Sequence, residues 1–179
     1  AQRRGLLNLK NTPDALPLMA SEKNIALFEK YHIFTATEVK SRVNILLENY
    51  TTVLGIEAAT MLDMLYKDIL PAVSCYTKDL IRIAMDKKHL DIVPGAEVDL
   101  AKKLSTYTDQ MYEASLELKT SLEEADAIEC PKAKAEAYHA KVLCAMNKLR
   151  AAADSAEALT GGKYLPYPTY GDLLYGVNE

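Results

Sequence analysis

The sequence predicts an all-α protein: an up-and-down antiparallel bundle of three or four long helices, with an irregular N-terminal lead-in and an extended Pro- and Tyr-rich tail. Apolar residues recur at alternating steps of four and three, which keeps their side chains on one helical face. Only 7 Gly and 7 Pro interrupt the 179 residues. No strand pattern and no repeat of roughly 20–50 residues is visible. Short connections between long amphipathic helices favour antiparallel neighbours.

Composition limits the classes of function. Hydrophobic residues make up 49% and charged residues 26%, as in ordinary globular proteins. The net charge of -4 argues against a broad phosphate-binding surface. No apolar run approaches the roughly 18 residues that a membrane-spanning helix needs. The three cysteines have no CxxC spacing and suit no disulfide framework, so we expect reduced thiols in the cytoplasm, with Cys144 buried and inert.

Three segments are predicted along the chain. Residues 1–20 form an irregular junction, since Pro13 and Pro17 bias the residues before them away from helix. Residues 21–160 form the helical bundle, and residues 161–179 form a C-terminal docking tail. The chain begins at Ala1 without Met, which suggests a piece of a longer protein.

The clearest helix start is at Thr35. Ser21 is expected to cap a short helix before it. Thr35 with Glu38 has the spacing of a capping box, and Phe34 with Val39 has that of a hydrophobic staple. An apolar stripe follows: Val39, Val43, Leu46, Tyr50 and Val53. We expect Gly55 to end or bend this helix.

The next stripe passes through a proline without changing phase. It consists of Leu62, Tyr66, Ile69, Val73, Tyr76, Leu80 and Ile83. Pro71 removes one backbone donor and crowds the preceding turn. The unbroken phase therefore predicts a kinked but continuous helix around Pro71, followed by a turn at residues 93–95.

Two further stripes complete the predicted bundle. The third consists of Leu100, Leu104, Tyr107, Met111, Ala114, Leu118, Leu122 and Ala125. The fourth consists of Ala135, Tyr138, Val142, Ala145, Leu149, Ala152, Ala156 and Leu159. Pro131 suits the first turn of the helix that carries the fourth stripe.

The tail beyond Gly161-Gly162 is too apolar and aromatic for a free end. We expect it to dock on protein, either on the bundle of this chain or on a further domain. The residues that would make the contact are Tyr164, Leu165, Tyr167, Tyr170, Leu173, Leu174 and Tyr175.

No catalytic, cofactor-binding or metal-binding residue is assigned. Glu136 and His139 have the Glu-x-x-His spacing of helical di-iron sites, but Tyr138 and Val142 take the core stripe beside them. Ordinary solvated side chains are favoured there. The acidic residues of the third helix are interpreted as a solvated face: Asp109, Glu113, Glu117, Glu123 and Glu124. Gly161-Gly162 follows a helix and is no phosphate loop.

Short motifs across the chain resemble the C-terminal region of type III glutamine synthetases. They are Arg3-Arg4-Gly5-Leu6, residues 11–17 (NTPDALP), residues 27–31 (LFEKY), Ser41-Arg42, residues 47–50 (LENY), Ile56-Glu57-Ala58, residues 68–72 (DILPA), and residues 165–170 (LPYPTY) with Leu173-Leu174. Their order and spacing make the set specific.

The resemblance implies an ATP-dependent glutamate–ammonia ligase that uses a divalent metal, Mg or Mn, and assembles as a homo-oligomer. The catalytic domain would precede Ala1. This segment would be non-catalytic, pack on that domain, and support assembly or regulation, without nucleic-acid or membrane partners. Two alternatives remain: a stand-alone helical interaction module that binds a partner helix, and a bundle metalloprotein built on His139.

Overall fold

The chain is helical throughout the computed structural model, which describes residues 2–168 and 170–176 and only the backbone of Gln2 and Tyr170. The α-helices are α1 (Thr12–Met19), α2 (Glu22–Lys30), α3 (Ala36–Met64), α4 (Leu70–His89), α5 (Gly95–Asp126), α6 (Pro131–Ala137), α7 (Leu143–Glu157) and α8 (Tyr170–Tyr175). The π-helical segments are Leu65–Ile69 and Tyr138–Val142, and 3-10 turns cover Gln2–Arg4 and Gly162–Tyr164. No strand occurs in the described residues, and the predicted all-α class is confirmed.

Internal contacts divide the chain into two compact units. The first unit comprises the chain up to Ala58 together with Leu118–Ala145. The second comprises Ala59–Glu117 and the chain from Met146 onward. The domain boundaries expected from the sequence, and the arrangement of all long helices in one up-and-down bundle, stay predictions.

The lead-in contains a helix that the sequence reading missed. Residues 12–19 form α1, so the expectation of an irregular junction is wrong over this stretch. Asn11 caps the helix, since its side chain accepts a hydrogen bond from the Asp14 N–H at 2.8 Å. Pro13 lies in the first turn, where its missing N–H costs nothing. Pro17 does remove a donor, and α1 ends two residues later at Met19.

The first unit has a core built from α1, α3 and α6. Val43, Leu47 and Ala135 are buried together, and α1 packs Leu16 and Met19 against them. The end of α5 pairs with α6 and the segment after it through ion pairs, Asp126 with Lys134 and Glu124 with Lys141. These pairs run in opposite directions along the two helices, as in an antiparallel hairpin.

The apolar stripe of α3 was predicted only in part, and its later member Tyr50 does pack against the core. Val39 and Val43 are buried, but Leu46 and Val53 are 43% and 44% exposed. The buried side of the helix continues instead through Leu47, Thr51, Leu54 and Ala58. Both sides of α3 are apolar, so the periodicity alone did not identify the side that faces the core.

Gly55 does not end α3, contrary to one part of the expectation; a bend there stays a prediction. The helix continues to Met64. A Cβ at Gly55 would lie 3.4 Å from the hydroxyl oxygen of Tyr138. Gly55 therefore provides the space in which the Tyr138 ring approaches the backbone of α3.

Pro71 lies within helical structure that continues from Ala36 to His89 without a loop, and this continuity agrees with the expectation. The π-helical segment Leu65–Ile69 directly precedes α4, and the Leu70 N–H bonds to the Leu65 carbonyl. Pro71 occupies the first turn of α4. The wider π turn accommodates the proline ring and its missing donor. The kink itself stays a prediction.

The second unit packs α4, α5 and α7. At one end of the α4–α5 pair Lys87 bonds Glu97, and at the other the Tyr66 hydroxyl bonds Ser115 at 2.7 Å, so these segments are antiparallel. The third and fourth stripes are buried nearly as predicted. In this unit the buried members are Leu104, Met111, Ala114, Leu149, Ala152 and Ala156, and Ala101 is buried where the prediction had Leu100.

The hydrogen bonds of a capping box are present at the start of α3. The Thr35 N–H donates to Glu38 Oε2 at 2.8 Å, and the Glu38 N–H donates to Thr35 Oγ1 at 3.3 Å. The backbone bond from Thr35 lowers the pKa of the Glu38 carboxyl. Phe34 packs edge-on against Phe28 with ring centroids 5.8 Å apart. The staple between Phe34 and Val39 stays a prediction.

We expect Thr35→Ala to lower the free energy of unfolding by about 1 kcal/mol, because the Glu38 N–H loses its side-chain partner. Thr37→Ala is the matched control, since Thr37 is exposed in the first turn of the same helix. Urea denaturation of both variants measures the difference. Equal midpoints for the two variants would show that Thr35 is not the cap.

Candidate functional site

The start of the tail packs on α4 within the second unit. The Tyr164 ring lies 5.0 Å from the Tyr76 ring, centroid to centroid. The Tyr164 hydroxyl donates to Asp79 Oδ2 at 2.6 Å. A Cβ at Gly161 would lie 3.4 Å from one ring and 3.5 Å from the other. The glycine therefore allows the 3-10 turn Gly162–Tyr164 to fit closely against α4.

The rest of the tail is divided between half-buried and exposed residues. Leu165 and Tyr167 are half-buried. Burial and a hydrogen bond with Glu157 raise the pKa of Tyr167 to about 12. Leu174 is 72% exposed, as are its neighbours Leu173 and Tyr175 at 66% and 84%. The side chain of Tyr170 lies outside the described residues.

A polar network surrounds Tyr138 in the first unit. Tyr138 is 3% exposed, and its hydroxyl donates to Asp126 Oδ1 at 2.8 Å. Lys134 forms an ion pair with the same oxygen at 2.8 Å. The bond from Lys134 lowers the pKa of Asp126, while burial and Asp126 raise the pKa of Tyr138 to about 12. The sequence showed Tyr138 only as a core position.

His139 lies beside Tyr50 rather than in a ligand cluster. Its Nδ1 is 3.4 Å from the Tyr50 hydroxyl, within the same unit. Glu136, the other half of the Glu-x-x-His spacing, is paired with Lys132 at 3.7 Å on the surface. The described residues contain no group of three or more His, Cys, Asp or Glu side chains that could hold a metal ion.

The remaining chemical candidates lie on the surface. Glu117 pairs with Lys148 and Glu124 with Lys141, both as exposed ion pairs of the kind that adds little stability. All three cysteines are free and exposed, so the expectation of a buried Cys144 is wrong. Cys144 lies between the buried residues Val142 and Ala145 on α7, on the side that faces solvent.

One side of α3 in the first unit exposes an apolar surface, which we call the α3 face. Its members Ile45, Leu46, Val53 and Ile56 are between 43% and 63% exposed. The α3 face borders a groove of about 410 Å³ against α1. The groove is lined by Thr12, Leu16, Leu46, Asn49, Tyr50, Val53, Leu54 and Glu57.

The second unit has a groove of its own between α4 and α5. Its volume is about 360 Å³, and its apolar wall includes Ile81, Met85 and Val98. Lys88, Lys102 and Glu97 also line it. The second groove therefore carries charges of both signs, whereas Glu57 is the one charged residue that lines the first.

Comparison with known families and proteins shows that the chain is related to glutamine synthetases. Residues 1–88 match the family described as the glutamine synthetase C-terminal domain. A glutamine synthetase of Butyrivibrio fibrisolvens is 38% identical over 99% of this chain. By the family match, residues 1–88 belong to the glutamine synthetase C-terminal domain family. A type-3 glutamine synthetase of Dictyostelium discoideum is 28% identical over 98% of the chain, and a glutamine synthetase of Bacteroides fragilis is 25% identical over the same share.

The chain spans about a quarter of the length of these relatives: 26% of the Butyrivibrio protein and 25% of the other two. The matched residues 1–88 include α1, α2, α3 and all of α4 except His89, and therefore the whole α3 face. Among the described residues no helix is long and apolar enough to cross a membrane.

We expect the two parts of the tail to contribute unequally to stability. A chain that ends at Thr160 should lose roughly 2 kcal/mol of unfolding free energy, because Tyr164, Leu165 and Tyr167 lose partly buried area. A chain that ends at Pro168 keeps these residues and should stay within about 0.5 kcal/mol of the parent. Chemical denaturation of both truncations tests this. Similar losses in both would contradict the docking of residues 164–167.

The Tyr138 network predicts a specific loss of stability at alkaline pH. The pKa of Tyr138 is raised in the fold, so its contribution is complete below the unfolded-state pKa near 10 and is lost as pH rises towards about 12. At neutral pH the free energy of unfolding of the parent should be about 1 kcal/mol higher than that of Tyr138→Phe. This difference should shrink above pH 10. Tyr175→Phe, at an exposed tyrosine, is the control. A difference that stays constant with pH would refute the assignment.

Proposed function

We propose that this chain is the non-catalytic helical C-terminal domain of a type III glutamine synthetase. In the full-length protein, a separate catalytic domain would ligate ammonia to glutamate with ATP and Mg²⁺ or Mn²⁺. The domain would pack on that catalytic domain and support a cytoplasmic homo-oligomer or its regulation. One observation carries the proposal. The chain spans only a quarter of its relatives' length, and it exposes the apolar α3 face. An uncharged apolar surface of this kind marks a protein contact.

The chemistry of the described side chains supports a structural role. Asp126 is engaged by Tyr138 and Lys134, and Asp79 by Tyr164. These carboxylates hold helices and the tail in place. Their pairing with tyrosine hydroxyls and lysines fits packing, whereas acid–base catalysis requires groups that converge on a substrate cavity.

A stand-alone helical interaction module is the second candidate. The groove between α4 and α5 favours it, because its apolar wall suits the apolar side of a partner helix, and Lys88, Lys102 and Glu97 can pair with charged residues of that helix. The two candidates differ in the length of the protein that carries this chain. An open reading frame that encodes a catalytic domain upstream supports the first, and a start codon at this chain supports the second.

Activity and assembly measurements test the proposed function directly. The chain alone should form no glutamine from glutamate, ammonia and ATP with Mg²⁺ or Mn²⁺. The full-length enzyme should do so, and removal of residues 1–179 from it should lower its melting temperature or disrupt its oligomer. Ligase activity of the chain alone, or an unchanged enzyme after the removal, would overturn the proposal.

A further inference from the structure

We propose that the catalytic domain of the same polypeptide packs on the α3 face and its groove. This inference rests on the proposed function and adds which surface makes the contact. It commits to an intramolecular partner and not to a second copy of the chain.

The geometry of α3 separates this surface from the core. At 3.6 residues per turn, Ile45, Leu46, Val53 and Ile56 fall within an arc of about 100°. The buried residues Val43, Leu47 and Leu54 lie on a side roughly 130° away from the centre of that arc. A helix with apolar residues on two sides is usually buried on both sides. The first unit buries only one of the two apolar sides of α3.

The α3 face also lacks charge. From Ile45 to Ile56, a rise of about 17 Å, the only polar side chain within its arc is Asn49. Permanent interfaces resemble a divided protein core, whereas surfaces that meet partners from solution carry charges that steer the encounter. The α3 face, which is apolar and uncharged, resembles the surface of a permanent interface.

The course of the chain identifies the partner. The second wall of the groove is α1, through Thr12 and Leu16. The segment that leads into α1 exposes Leu6, Leu7 and Leu9, at 62%, 71% and 42%. Under the proposed function the catalytic domain precedes residue 1, so it is tethered beside this groove at a high effective concentration. The exposed leucines extend the apolar surface towards that domain.

Thiol labelling of the full-length enzyme tests this contact. Val53→Cys reports on the α3 face, and Ile81→Cys is the control in the α4–α5 groove, with a native side chain of similar exposure, 49% against 44%. N-ethylmaleimide rates are measured for each site by peptide mass spectrometry and divided by the rate in denaturant. The exposed Cys75, Cys130 and Cys144 serve as internal references.

We expect Val53→Cys to react roughly tenfold or more slowly than Ile81→Cys, because a thiol in a packed contact reacts only when the contact opens. The slow rate should persist on dilution to concentrations at which the oligomer dissociates. Leu46→Cys should repeat the result if Val53→Cys perturbs folding. Equal rates at the two sites would overturn the inference. Protection that disappears on dissociation would assign the face to a second copy and overturn it as well.

The labelling outcome is separable from the proposed function. If removal of residues 1–179 alters the enzyme but Val53→Cys reacts rapidly, the domain is structural and packs through another surface. If the removal leaves the enzyme unchanged, the proposed function itself fails, whatever the labelling rates are.

Discussion

Burial of Tyr138 is the constraint on which the packing of the first unit depends. Its ring is almost completely buried, so its hydroxyl needs a partner inside the unit. Asp126 accepts its hydrogen bond, and Lys134 balances the charge of that carboxylate. Gly55 leaves the room that the ring needs beside α3. One aromatic side chain thus fixes the end of α5, the start of the π-helical segment and the position of α3.

The sequence predicted α5 and α7 better than α3 because most of their buried positions fall on one apolar stripe, although Tyr112 and Leu116 of α5 are exposed. Their core positions recur at alternating steps of three and four with charged residues between them, so the periodicity identifies a single buried side. The small residues of α7, such as Ala145 and Ala152, are buried as expected. The same method misplaced Leu46 and Val53, since α3 has two apolar sides. The error therefore falls at the residues that form the candidate docking surface.

The other errors also have local physical causes. Gly55 was expected to end or bend the helix because glycine commonly ends helices. In the structure it instead allows the Tyr138 side chain to approach the backbone of α3, a contact that the local sequence does not show. Prolines obscured α1, although Asn11 followed by Pro13 is itself a helix-start signal. In the tail, composition predicted docking for all apolar residues. The structure places Tyr164 against Tyr76 and leaves Leu174 exposed, a division that composition does not specify.

The two grooves suggest how one helical domain can serve two kinds of contact. The groove beside the α3 face is apolar and lies next to the entering chain, which suits a partner held permanently close. The groove between α4 and α5 carries Lys88, Lys102 and Glu97, and contacts with such charged groups respond to salt. In an assembly of identical subunits, the first surface would stay filled in every subunit. The second would remain for contacts that form and separate, and its charged residues would make those contacts sensitive to ionic strength.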